Sequence, residues 1–160
     1  MKYIGILLVL VAAAVISHEY SRHMEKRAEE CRDFLEFIAH MRVQVGCFLR
    51  PVKELATGFS SPLLEKAGFI DSLKSSDCIL SAYRHCESNL SLSDEEKEVL
   101  NTFFSSFGEG YLDDGIRLID SVYKNMEGLY GKLLEEKTKN TRLVTTLSVT
   151  MALGIIIFVI

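Results

Sequence analysis

The sequence lacks almost every short motif that carries enzymatic chemistry. There is no glycine-rich phosphate loop, because the glycines of FGEGYLDDG follow a helical pattern and no lysine or Ser/Thr pair accompanies them. A Gly-x-Ser-x-Gly elbow and a His-Glu-x-x-His pair are also missing. Asp113 and Asp114 are adjacent, which suits the start of a helix better than a paired acid–base site. We therefore expect a protein that binds other proteins, with no catalytic residue and no cofactor.

The spacing typical of metal sites is absent as well. The four cysteines, at positions 31, 47, 78 and 86, are never two to four residues apart, and no two of the four histidines lie four apart. In a cytosolic domain, thiols stay reduced and behave as small apolar residues. We predict neither a metal site nor a structural disulfide.

Strand signatures are missing too, since no stretch alternates polar and apolar residues between Asn-Gly or Asp-Gly turns. Apolar residues from Arg22 to Leu49 instead recur in steps of three and four, which predicts an amphipathic helix that ends or kinks at Arg50–Pro51. Its predicted apolar stripe contains Cys31, Phe34, Leu35, Ile38, Met41, Val45, Phe48 and Leu49. Ser61–Pro62 predicts the start of another helix, which ends near Lys74. These patterns indicate an all-α protein.

Two later segments complete the predicted bundle. Ser93 and Glu96 form a capping box ahead of a helix whose apolar face includes Phe103 and Phe104. From residue 112 to 133, apolar residues follow a heptad seam, and the absence of proline beyond it predicts one helix that continues towards the C-terminus. We predict an antiparallel bundle of about five or six helices. The seam contains Leu112, Ile116, Ile119, Tyr123, Met126, Tyr130 and Leu133.

Both ends of the chain lack charge over long runs. Residues 3–17 and 143–160 are uncharged runs of 15 and 18 residues. At about 1.5 Å per residue, the second run is close to the ~30 Å hydrocarbon core of a bilayer. We predict transmembrane helices at 3–17 and 143–160, with a helical-bundle domain at 18–142. A cleaved signal peptide at the first run and a buried core helix at the second are the alternatives.

Basic residues predict which side of the membrane holds the middle of the chain. Lys132, Lys137, Lys139 and Arg142 precede the last uncharged run and no base follows it, so we expect 18–142 in the cytosol. This segment holds all 22 acidic residues and 17 of the 18 basic ones, which leaves a formal charge of −5. Such a balance offers no basic face for nucleic acid. An exported, C-terminally anchored protein is the alternative.

Element order and several short motifs resemble the stage III sporulation protein AB family of endospore-forming bacteria. The first matching segment is YIGILLVLVAA, near the start of the chain. The second is RPVKELA, at the place where the family usually has Thr-Pro-Leu followed by an acid and Ala. The third is LSLSDEEKEVLNTFFSSFGEG, which corresponds to the family's leucine-rich helix that ends on Leu-Gly. GEGYLDDGIRLI fits the family's spacing without a gap. The chain departs from the family at Arg50, at Gly110–Tyr111 and at Gly115, and lacks an acid expected around residues 42–44.

The resemblance implies a fold and a function. The family's helical domain is similar to those of the inner-membrane platform proteins of type II secretion and type IV pilus systems. By that likeness, the chain is expected in the mother-cell membrane facing the forespore, where it docks a cytosolic secretion-type ATPase among the other channel-complex subunits. Candidate docking residues are the acids at two helix starts, although a solvated cap explains the first cluster more simply. These acids are Asp94, Glu95, Glu96, Asp113 and Asp114.

A second function remains open at this stage. The seam from 112 to 133 has the heptad spacing that joins helices of separate chains. A membrane-tethered helical adaptor or signalling protein would form homodimers through it. The two functions differ in whether the seam packs inside one chain or between two.

Overall fold

A computed structural model describes residues 2–47, 58–76, 78–107 and 112–159, and every regular element in these ranges is helical. The six α-helices in these ranges confirm the predicted all-α class. A 3-10 helix, Glu87–Asn89, follows the fourth of them. The α-helices are α1 (Lys2–Cys47), α2 (Pro62–Lys66), α3 (Phe69–Ser75), α4 (Ile79–Cys86), α5 (Asp94–Ser106) and α6 (Leu112–Val159).

The predicted transmembrane helices at 3–17 and 143–160 are wrong for the part of the chain that the structure describes. There, no helix combines the length and the apolar character needed to cross a membrane. In α6, the four hydroxyl residues Thr145, Thr146, Ser148 and Thr150 lower the apolar character of the stretch that follows Arg142. A span needs about 20 predominantly apolar residues.

Backbone contacts divide the chain into two compact units. Unit 1 comprises Met1–Lys26 and Lys132–Ile160, and unit 2 comprises Arg27–Gly131. Each of the two long helices, α1 and α6, therefore contributes residues to both units. The predicted boundaries at 17/18 and 142/143 remain predictions.

Unit 1 is an antiparallel pair formed by the start of α1 and the end of α6. Ser17 Oγ lies 3.4 Å from Thr145 Oγ1, and Lys137 Nζ lies 3.6 Å from a carboxylate oxygen of Glu25. A step of eight residues forward along α1 thus matches a step of eight backward along α6. Between the helices, an open cleft of about 500 Å³ is lined mostly by small and hydroxyl side chains.

The second part of α1 supplies a buried stripe to unit 2. The three–four periodicity predicted most of its members, and the fully buried ones are Cys31, Phe34, Ile38 and Met41. Phe37 is also fully buried, although the predicted stripe did not include it. Its ring packs edge-on against Phe69 at a centroid distance of 5.1 Å. The buried face of α1 is therefore broader than predicted.

The predicted helix from Pro62 to near Lys74 is in fact two helices. Ser61 caps α2 as predicted, since its Oγ accepts a hydrogen bond from Leu64 N at 3.1 Å. Gly68 then adopts a φ of +88°, a left-handed conformation that favours glycine, and α3 begins at the next residue. Apolar residues continue on both sides of Gly68, so their periodicity could not locate the break.

The starts and course of the last two helices follow the prediction. Ser93 and Glu96 form the capping box of α5, and α6 runs without interruption from Leu112 to Val159. Within the seam, Ile119 and Met126 are fully buried and Ile116, Tyr123 and Tyr130 are half-buried. The predicted helix end at Arg50–Pro51 lies outside the described residues, as does the side chain of Leu112.

Candidate functional site

The exposed acids of the predicted docking face lie at the start of α5. Asp94 and Glu95 are both exposed in its first turn, and Glu98 is exposed one turn later. Residues three or four positions apart on a helix are neighbours, so these three carboxylates share one side of α5. We call Asp94, Glu95 and Glu98 the acidic turn. Sequence reasoning missed Glu98, although its spacing from the two predicted acids could have indicated it.

Glu96 faces inward and is not part of that surface. Its side chain is only 1% exposed, and it forms a bidentate ion pair with Arg27 of α1. Arg27 Nε donates to Oε2 at 3.0 Å and Nη2 donates to Oε1 at 2.9 Å. The backbone N–H of Ser93 also donates to Oε2, at 2.7 Å. Glu96 therefore fixes the first turn of α5 against α1.

The five predicted docking residues thus differ in their exposure and in whether the structure describes their side chains. It places Asp94 and Glu95 together on the surface and Glu96 beneath them. The side chains of Asp113 and Asp114, at the start of α6, lie outside the described residues. The first turn of α5 is accordingly the candidate site.

Three charged residues of α1, spaced three apart, contact residues at or just before the starts of α2 and α5. We call Arg27, Glu30 and Asp33 the polar ladder. Glu30 accepts a hydrogen bond from Ser91 N at 2.6 Å, and Asp33 accepts one from the hydroxyl of Ser61 at 2.5 Å. Both carboxylates are buried, and a buried charge needs such partners. The ladder therefore fixes the starts of α2 and α5 relative to α1.

The polar ladder was not predicted, because apolar periodicity locates a buried stripe without showing which charged neighbours are buried beside it. One signal was available in the sequence. Glu30 and Asp33 are direct neighbours of Cys31 and Phe34, which belong to the predicted apolar stripe. Charged residues so close to the centre of a stripe are candidates for buried, paired positions.

No reactive or metal-binding cluster appears among the described side chains. In that part of the chain, no three His, Cys, Asp or Glu residues are grouped so that they could hold a metal ion. Burial raises the pKa of both Cys31 and Cys86 to about 12. At Cys31 the carboxylate of Glu96 contributes to this rise in pKa, and Arg27 opposes it. Both thiols are protonated at neutral pH and are therefore poor nucleophiles.

We expect a thiol reagent at pH 8 to label Cys78 and to leave Cys31 and Cys86 unmodified in the folded chain. Cys78 is exposed, whereas the other two are buried. A pKa of about 12 leaves roughly one thiolate in 10⁴ at pH 8, so even a transiently accessible thiol reacts slowly. Mass spectrometry after brief labelling measures the result.

The labelling is best done in a Cys47→Ser background, because that side chain lies outside the described residues. In guanidinium chloride, all three remaining cysteines are expected to react, which is the positive control. Labelling of Cys31 or Cys86 in the native chain as fast as Cys78 would contradict their burial.

Comparison with known proteins connects this helical architecture to a family. The family described as stage III sporulation protein AB matches residues 2–160. No curated protein and no solved structure matches the chain. The family match extends over the residues of both units.

Proposed function

Since the chain belongs to the stage III sporulation protein AB family, we propose that it is a non-catalytic adaptor of the sporulation channel complex. Membership in the family gives it a role in stage III of sporulation. In our proposal, unit 2 lies in the mother-cell cytosol and docks a secretion-type ATPase, while other channel subunits complete the complex between mother cell and forespore. Because a helical fold does not by itself define a function, the proposal needs a site.

The acidic turn is the observation that supports this proposal. It presents the carboxylates of Asp94, Glu95 and Glu98 to solvent on one side of α5. The capping box and the Arg27–Glu96 pair hold the same turn in one conformation. A site that is already ordered loses less conformational entropy when it binds a partner. Charge complementarity then calls for a basic surface on the ATPase.

Burial of the seam favours the ATPase-docking adaptor over the adaptor or signalling protein that forms homodimers through the seam. Ile119 and Met126, at the centre of the seam from 112 to 133, have no exposed surface in the single chain. A homodimer built on this seam would need these side chains on the outside. The half-buried seam residues leave a second copy much less apolar surface than the sequence pattern suggests.

We expect the double substitution Asp94→Asn/Glu95→Gln to weaken ATPase binding about two- to thirtyfold. Both side chains are exposed, so the change removes two charges while keeping shape and helix capping. Exposed ion pairs contribute roughly 0.2–1 kcal/mol each, and about 1.4 kcal/mol is tenfold in affinity. The measurement is a binding titration, at low and high salt, of the purified full chain with the separately purified sporulation ATPase.

Glu135→Gln/Glu136→Gln is the matched control. It removes two adjacent exposed acids from α6 and is expected to leave binding unchanged. Equal losses from both double variants would assign the effect to net charge rather than to the acidic turn. Absence of any binding between the unaltered chain and the ATPase would exclude the docking function.

A further inference from the structure

The Arg27–Glu96 pair is an unusual place for two charges. Glu96 is 1% exposed and Arg27 is 20% exposed, so both are largely removed from water. Desolvation offsets most of the Coulomb attraction in such a pair, which makes it a weak source of stability. Fixing one register between two elements is the better-attested role of a buried polar pair.

Apolar contacts restrict that register less strictly than hydrogen bonds do. α5 packs through the buried side chains of Leu100, Phe103 and Phe104, and apolar burial has no directional requirement. The two hydrogen bonds of 2.9 and 3.0 Å, in contrast, require a fixed orientation of donor and acceptor. A shift of about 1 Å, or a rotation of α5 by one residue, breaks both.

One oxygen atom links this pair to the helix cap. Glu96 Oε2 accepts a hydrogen bond both from Arg27 Nε and from the backbone N–H of Ser93. A movement of α1 that withdraws Arg27 therefore disturbs the capping box of α5 at the same time. The contact between helices and the cap of the acidic turn are coupled through a single carboxylate.

We propose that Arg27 and Glu96 form a register lock, through which the position of α1 controls the order of the acidic turn. Arg27 acts as a positioning residue, because it does not belong to the exposed surface of Asp94, Glu95 and Glu98. Its importance for docking rests on the proposed function. The lock itself is a property of the chain alone and is tested without a partner.

The test compares Arg27→Met with the double variant Arg27→Met/Glu96→Gln in the full chain. The single variant leaves the buried carboxylate of Glu96 without its guanidinium. The double variant removes both charges, and glutamine still completes a capping box with Ser93. Thermal unfolding reports global stability, and amide exchange at Ser93, Glu96 and Lys97, whose N–H groups form the hydrogen bonds of the cap, reports the order of the first turn of α5.

Cys31 supplies a second, built-in reporter of the same movement. It lies one turn after Arg27 on α1, it is fully buried, and both charges of the pair influence its pKa. Its labelling rate by a thiol reagent, measured relative to exposed Cys78, detects loosening at this place.

If the register lock exists, global stability and the local order of α5 respond differently in the double variant. The double variant regains at least half of the midpoint loss of Arg27→Met, yet its amides at positions 93, 96 and 97 exchange at least tenfold faster than in the unaltered chain. Labelling of Cys31 rises at least tenfold as well. If the double variant exchanges and labels like the unaltered chain, apolar packing sets the register and the inference is wrong. The inference also fails if the double variant stays as unstable as the single one, because the pair then contributes global stability.

Discussion

Replacement of Ile119 by aspartate is expected to unfold unit 2 at room temperature. Ile119 has no exposed surface on α6, so the new carboxylate has to be buried or the helix displaced. Loss of a buried isoleucine side chain by itself costs about 2–5 kcal/mol, and an unpaired buried charge adds to it. The sum approaches the 5–15 kcal/mol that stabilises a typical domain. Circular dichroism should show the loss of a cooperative unfolding transition.

Ser121→Asp provides the control for this experiment. It introduces the same charge into the same helix at an exposed position, where substitutions change stability by about 0.5 kcal/mol or less. The chain with Ser121→Asp should unfold like the unaltered one. If Ile119→Asp stayed folded and converted a dimer to a monomer in light scattering, the seam would pack between copies and the homodimer would be the better explanation.

Phe104→Ala is expected to destabilise unit 2 by about 3–5 kcal/mol. The Phe104 ring is almost fully buried and lies at centroid distances of 5.1 Å from Tyr83, 5.1 Å from Phe103 and 6.0 Å from Phe69. These rings come from α3, α4 and α5, so the truncation opens a cavity that several helices line. The urea midpoint measures the loss, and an unchanged slope shows that the unfolding transition itself is the same.

Thr102→Ala, at an exposed position of the same helix, separates the effect of the cavity from that of helix propensity. We expect its midpoint to stay close to that of the unaltered chain. A loss below about 1 kcal/mol for Phe104→Ala would show that the site collapses around the missing ring, and the aromatic cluster would not be the core of unit 2.

The starts of α2 and α5 show what local sequence can predict. Ser61 and Ser93 each accept a hydrogen bond from a backbone N–H three residues later. Such a cap depends on a few consecutive residues, which is why both starts could be predicted from sequence alone. The continuous course of α6 was likewise evident from the absence of proline.

The features that the prediction missed depend on contacts between distant residues or on the backbone conformation of a single residue. The break at Gly68 rests on one left-handed residue inside an apolar pattern that continues on both sides. The predicted membrane spans rested on the absence of charge, yet among the described residues no helix is long and apolar enough to cross a membrane. Burial of Phe37 depends on aromatic rings that other segments bring to α1.

The candidate site divides in the same way. Local sequence was enough to predict that α5 begins at a capping box followed by acids, because the bonds that form the box span three residues. The inward position of Glu96, with Asp94 and Glu95 exposed, depends instead on a contact between distant parts of the chain. The partner that draws Glu96 inward, Arg27, is 69 positions away along the chain, and apolar periodicity contains no information about which distant charge will lie opposite.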